Sequence, residues 1–299
     1  MLNFLVIGDW GRKGTPEQHA VARSMAHVAQ RLQSRFVLTT GDNFYDDGVA
    51  SLSDAHWPLS FEQVYTAAPL QTAWYVALGN HDYRGCVEAQ IDYGSRSSRW
   101  HLPARFYAME QRIDEATTVQ FVFLDTTPFL ARYRPGGTEL IPGVSEQAYL
   151  PQLDWLHATL AASTAPWKLV IGHHPIYSGS PFHGGAVELQ HLVLPILRAH
   201  SVQAYICGHE HDLQHLCANG LHYVISGAAA EHRDTGHCAY SYFSASTLGF
   251  AAVSLTAQHM QLDFYNAGGQ CIYQANIAPS NAGEPTYPGP PAPISISTV

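Results

Sequence analysis

Short apolar runs, each ending in glycine and a polar residue, alternate along this chain with longer amphipathic stretches. That is the pattern of α/β layering. The first run, Leu2 to Ile7, predicts a strand, and further strands are predicted over 36–40, 74–78, 119–124, 168–171 and 203–207. Thr15-Pro16-Glu17-Gln18 reads as a capping box with proline at the first helical position. It opens a helix in which Val21, Met25, Val28 and Leu32 recur at helical spacing. Gln152 to Ala162 carries Leu153, Leu156 and Leu160 on one face and predicts a second helix. Val187 to Ala199 predicts a third, kinked at Pro195. After a strand at 223–226 the pattern changes, because 250–255, 260–265 and 271–275 predict strands with no helix between them. Ala267-Gly268-Gly269 joins the last two as a hairpin. The expected fold is α/β, a mixed β-sandwich clad by helices on both outer faces. It spans 1–277, with a tail rich in Pro, Gly and Ala over 278–299.

Composition narrows the function. Of 299 residues 46% are hydrophobic, enough for a full core, while only 13% are charged and the formal net charge is −9. No basic face for nucleic acid is expected. No apolar stretch approaches the ~20 residues of a membrane helix, and Leu2 to Ile7 follows Met1 without a basic n-region or cleavage site. No signal peptide is therefore expected in this chain, which leaves a cytoplasmic protein or a mature exported one. Five cysteines without a CxxC pair argue against a thiolate zinc site and are expected as buried free thiols. Eighteen histidines would carry the charge from −9 to +9 if all were protonated. That shift in mild acid favours anionic substrates.

Five motifs punctuate the predicted strand ends: Gly8-Asp9-Trp10-Gly11, Gly41-Asp42-Asn43-Phe44-Tyr45, Gly79-Asn80-His81-Asp82, Val170-Ile171-Gly172-His173 and Gly208-His209-Glu210-His211. Loops beyond parallel strands converge on one edge of an α/β sheet, so these side chains can meet. Oxygen donors from Asp9, Asp42, Tyr45 and Asn80, mixed with imidazoles from His173, His209 and His211, suit first-row metals of charge +2 or +3. Seven ligands exceed one tetrahedral site. Shared through a bridging carboxylate, they form two four-ligand sets with positions open for water and substrate, as a two-metal hydrolase requires. His209 and His211, two apart, project from one face of an extended segment. The glycine before each motif residue is expected to let the backbone turn sharply away from its strand.

On these five blocks, in this order, the chain resembles the metallophosphoesterase superfamily and within it the small purple acid phosphatases, from Gly8 to about Tyr265. The resemblance implies a four-layer αββα sandwich with two mixed β-sheets. It implies that Asp9, Tyr45 and His211 hold Fe(III), that Asn80, His173 and His209 hold a divalent iron, zinc or manganese, and that Asp42 bridges them. Tyrosinate ligation by Tyr45 would give the purple colour of that family. The implied reaction is hydrolysis of phosphate monoesters at acidic pH, with a metal-bound hydroxide attacking phosphorus in line. A formal count leaves roughly one net positive charge at such a centre, which attracts a phosphate dianion. His81 and His183 are the implied proton donors to the leaving group. His174 matches no ligand position. Residues 127–149, with Arg132 and Arg134, fall where animal relatives carry an exposed loop over the site; contact of their arginines with substrate phosphate is one reading, and solvated loop charges are the favoured one.

The expected partners are small phosphorylated substrates, with phosphoproteins or nucleotides also open, for a chain expected to be monomeric. Two rival readings stand beside the leading one. The first is a metallophosphodiesterase or phosphoprotein phosphatase of the same superfamily with a Mn or Zn centre, from which Tyr45 discriminates. The second is a catalytically silent metal- or phosphate-binding protein.

Overall fold

Leu2–Ile7 (β1) is buried along almost its whole length. An apolar run without polar alternation is stable in that way when its sheet is covered on both faces. The computed structural model describes residues 1–279, and the expected tail lies outside them from residue 280 onward. The remaining strands are β2 (Phe36–Thr39), β3 (Ala73–Val76), β4 (Trp100–His101), β5 (Tyr107–Arg112), β6 (Thr118–Phe123), β7 (Trp167–Ile171), β8 (Ala204–Cys207), β9 (Leu213–Ala218), β10 (Leu221–Ser226), β11 (Ser241–Ala245), β12 (Gly249–Leu255), β13 (Met260–Asn266) and β14 (Cys271–Ile277). The helices are α1 (Pro16–Leu32), α2 (Val87–Asp92), α3 (Leu150–Ala162), α4 (Val187–Leu192) and α5 (Leu194–Ala199).

One sheet runs β14-β13-β12-β1-β2-β3-β4 and the other β11-β9-β10-β8-β7-β6-β5. Both are mixed. β1 to β4 are parallel, as are β6, β7, β8 and β10, and the outer strands pair antiparallel. Parallel neighbours need crossovers, supplied by α1 between β1 and β2, α3 between β6 and β7, and α4 with α5 between β7 and β8. The inner faces meet through Phe121 of β6, whose ring stands edge-on to Phe4 at 5.4 Å and Phe36 at 5.7 Å. The Ser226 hydroxyl also donates across the seam to the Val6 carbonyl at 2.9 Å. The αββα expectation holds.

Every strand expected from the hydrophobic pattern forms within two residues of its expected ends. The pattern missed β4, β5, β9 and β11. The capping box forms by half. Thr15 accepts the Gln18 N–H at 3.3 Å, but the buried Gln18 side chain accepts through Oε1 from the Arg12 and Gly14 N–H groups and does not close on Thr15. The kinked helix over Val187–Ala199 is instead two helices broken at Val193, with Pro195 in the first turn of α5, where its missing N–H costs no helical bond. All five cysteines are free, but only Cys207 and Cys217 are buried and Cys271 is exposed. Among the described residues no helix is long and apolar enough to cross a membrane.

Candidate metal centre

The chain leaves β1, β2 and β3 of one sheet, and β7 and β8 of the other, at a common rim, and the five motifs sit there. Two clusters form. In the first, the Tyr45 hydroxyl lies 2.8 Å from Asp9 Oδ1, 2.8 Å from Asp42 Oδ2 and 3.0 Å from His211 Nε2. In the second, His173 Nε2 lies 3.1 Å from Asn80 Oδ1, 3.2 Å from His209 Nδ1 and 3.4 Å from Asp42 Oδ2. Asp42 Oδ2 belongs to both. All seven side chains are buried.

The donor set fits cations. A phenol has one proton to give, yet Tyr45 Oη stands against two carboxylate oxygens at once, with an imidazole nitrogen beside them, an excess of lone pairs that positive charge satisfies. Orientation agrees. His173 Nδ1 lies 2.9 Å from the Thr40 carbonyl oxygen, which only accepts, so Nδ1 carries a proton and Nε2 is the nitrogen that faces the cluster. Asp9, Asp42 and His209 hold φ of +59°, +48° and +69°. L-residues pay for that left-handed backbone, and it is typical of functional sites.

The electrostatics divide the groups. Burial works against the Asp42 carboxylate, but His173 and His81 beside it hold it well below the usual range. Burial alone would push His173 down; Asp42 draws it up to about 9. Burial, then Asp42 and Asp9, push the Tyr45 hydroxyl up, so the phenol keeps its proton until a cation competes for the oxygen. Burial and the neighbouring imidazoles of His174 and His173 push His209 down, which leaves it neutral and able to ligate.

Comparison with known proteins decides the family. The calcineurin-like phosphoesterase family model matches residues 2–213. Purple acid phosphatase 4 of Arabidopsis thaliana is 37% identical over 91% of this chain and 82% of its own length. Human tartrate-resistant acid phosphatase type 5 is 33% identical over 92% and 90%. The chain belongs to the purple acid phosphatases, hydrolases of phosphate monoesters. Among solved structures, that of GAP50, described as the anchor in the inner membrane complex of Plasmodium, superposes with a TM-score of 0.82 at 24% identity over 94% of this chain and 89% of that one. It shares the fold.

In this purple acid phosphatase the glycines before the motif residues act differently from the sequence expectation. Of the five, only Gly41 has a positive φ, +96°. A Cβ at Gly79 would overlap the Asp42 carboxylate, so the glycine there makes room. At Asp9, Asp42 and His209 the left-handed backbone falls on the residue after the glycine instead.

His81 stands at the rim. Its Nδ1 donates to the Asp46 carbonyl at 2.6 Å, which leaves Nε2 facing the site 4.0 Å from Asp42 Oδ2. The His183 ring lies 4.2 Å from that of His209, with Nε2 3.3 Å from an Arg233 nitrogen. Burial, then Arg132 and Arg233, push His183 down to about 4. His174 is buried behind the pair, with Nδ1 2.9 Å from the Thr126 hydroxyl and Nε2 3.3 Å from the Tyr133 hydroxyl.

Residues 127–149 are exposed over about half their length but pinned to the body beneath. Three short 3-10 turns bury Phe129, Tyr133, Ile141 and Val144. Arg132 is not a solvated charge, because Nη2 reaches His209 Nε2 at 2.9 Å. Arg134 donates to the Pro128 carbonyl at 3.0 Å, away from the cluster.

Sequence reasoning missed four supporting residues. Asp82 accepts the Asn43 and Gly79 backbone N–H groups at 3.0 and 2.8 Å. His56 donates from Nε2 to the Tyr45 carbonyl at 2.6 Å, and Ser60 fixes its other nitrogen at 2.6 Å. Glu231 sits 3.6 Å from His211 Nδ1, an ion pair rather than a hydrogen bond. Arg12 pairs with Glu231 and lays its guanidinium 3.9 Å over the Tyr45 ring. Only Asp82 had a signal, as the last residue of its motif.

Proposed function

We propose that the chain is an acid phosphomonoesterase whose residues 1–277 form one catalytic domain around a dinuclear centre. Asp9, Tyr45 and His211 hold Fe(III), Asn80, His173 and His209 hold divalent iron, zinc or manganese, and Asp42 bridges. The observation that carries this reading is Asp42 Oδ2, within 2.8 Å of Tyr45 Oη and 3.4 Å of His173 Nε2, where it joins the two clusters. When bound, such a pair of ions supplies Lewis acidity and water activation in acid.

The protein's own part is positioning and proton control. Arg12 over the Tyr45 ring favours the deprotonated phenol, because a cation on that face stabilises negative charge. The Thr40 carbonyl holds the His173 ring in one tautomer. His81, tethered through Nδ1, presents Nε2 where a leaving oxygen needs a proton in acid. His183, held low by burial and two arginines, takes a proton more readily once an anion offsets those charges. Tyr45 separates this reading from a Mn or Zn phosphodiesterase, since colourless divalent pairs need no phenolate.

The test is a visible spectrum with metal analysis and release of p-nitrophenol from its phosphate between about pH 4 and 8. A purple protein with iron, turning over best in acid and losing its colour in Tyr45→Phe, is expected. Colourless protein with full metal content, or no turnover when loaded, overturns the proposal.

A further inference from the structure

His209 has two edges with different neighbours. Nδ1 faces His173 Nε2 at 3.2 Å and the candidate metal cluster, while Nε2 faces Arg132 Nη2 at 2.9 Å. On the proposed metal reading, Nδ1 gives its lone pair to the centre and Nε2 keeps its proton. Arg132, which has no lone pair to offer, then points one N–H at another. Its Nε is also buried without a hydrogen-bond partner, and among the described residues no carboxylate pairs with it. A buried guanidinium edge left unsatisfied is costly, and two facing donors resolve only around an acceptor that both can share.

Arg132 is held firmly. Its carbonyl accepts the Glu139 N–H at 2.8 Å, the next residue back is tied by Glu188 accepting the Ala131 N–H at 3.0 Å, and its guanidinium lies 4.7 Å over the Tyr133 ring. Beside it opens a cavity of about 160 Å³ lined by Leu130, Arg132, His174, His183, Val187 and His209 among others. Two residues of its lining, His183 and His209, have ring centroids 4.2 Å apart, so the space adjoins the candidate metal cluster on the His209 side.

We infer that Arg132, with the Nε2 edge of His209, forms a second anion subsite that selects phosphate compounds whose leaving group carries its own phosphoryl group, diphosphates above simple monoesters. The inference rests on the dinuclear phosphatase reading. Recognition is by a planar fork of N–H donors matched to phosphoryl oxygens, which makes arginine and lysine unequal here.

The test compares pyrophosphate with phenyl phosphate as substrates of the metal-loaded wild type, Arg132→Ala and Arg132→Lys. It adds calorimetric binding of methylenediphosphonate, which is not hydrolysed, against inorganic phosphate. In Arg132→Ala the ratio of kcat/KM for pyrophosphate over phenyl phosphate is expected to fall roughly 10- to 100-fold, mostly through KM. The affinity ratio of methylenediphosphonate over phosphate should fall alike. Arg132→Lys, which keeps the charge without the fork, should recover part of both ratios and guards against a misfolded alanine variant. Unchanged ratios in both assays overturn the subsite. Wild-type protein that turns over neither substrate would overturn the phosphatase reading instead, while the binding ratio still decides the role of Arg132.

Discussion

The Asp82 carboxylate accepts the backbone N–H of Asn43 at 3.0 Å and thereby ties the loop after β3 to the loop after β2. A second bond, from the Gly79 N–H at 2.8 Å, fixes its own loop, and the Asn43 and Gln90 side chains complete its acceptor shell. Asn80 and Asp42 ride on those two loops. Asp82→Ala leaves several buried donors without an acceptor and is expected to cost at least about 2 kcal/mol in chemical unfolding. It should also lower metal content per chain. Full metal content with unchanged stability would show that the loops hold their places without this carboxylate.

Gly79→Ala tests the close approach. The new methyl would overlap the Asp42 carboxylate and its backbone nitrogen, so the bridge must move. We expect a loss of about 1–3 kcal/mol from overpacking, together with loss of both metals and of activity. Ordinary turnover in the variant would mean that Asp42 has slack.

Removing metal should loosen the whole fold. Surplus acceptors around Tyr45 Oη are satisfied by cations only in the folded state, so binding adds RT ln(1 + [L]/Kd) to stability. At a hundredfold excess over Kd this is about 2.7 kcal/mol, a rise in melting temperature of roughly 5–10 °C. Equal melting of chelated and reloaded protein would contradict it.

Acid should destabilise the chain through a histidine pair distant from the centre. His215 Nε2 and His222 Nδ1 lie 2.9 Å apart between β9 and β10. Burial pushes His215 down to about 3, with His222 adding to it, and burial pushes His222 down to about 4. Unfolded, each regains a pKa near 6.5, so below that pH the unfolded chain takes up protons that the folded one refuses. The contribution of the pair is therefore complete above about pH 6.5 and drains as pH falls toward 4, at about 1.4 kcal/mol per unit for each ring. Melting temperatures from pH 7 to 5 should drop, and His215→Gln should flatten the slope. An unaltered slope would assign the acid lability elsewhere.

The strands and ligand loops were legible because they combine two local signals, an apolar run and a turn residue at its end. Leu2–Ile7 followed by Gly8-Asp9 carries both. β9, with Gln214, His215 and Cys217, is buried throughout yet mixed in polarity, and its polar groups are satisfied by partners distant in sequence, among them Tyr273 on the other sheet. β11, Ser-Tyr-Phe-Ser-Ala, is half-buried throughout with no apolar alternation, and among the described residues it pairs with β9 alone. No periodicity marks such segments. His56 and Glu231 were invisible for the same reason, and Arg132 was noticed without its contact to His209, since a charge or ring near a site in space carries no imprint of that nearness in its neighbours along the chain. The two-helix break at Val193 was misread because a proline in a helical pattern marks a kink or a start equally well.

The rim where the motifs gather is built half from one sheet and half from the other, with Phe121 and the Ser226 hydroxyl pinning the halves in register. Neither sheet alone owns a complete mould. Loss of catalytic competence on heating should therefore coincide with parting of that seam, and variants that tighten it, far from any reacting atom, offer a route to a hardier catalyst with its chemistry untouched.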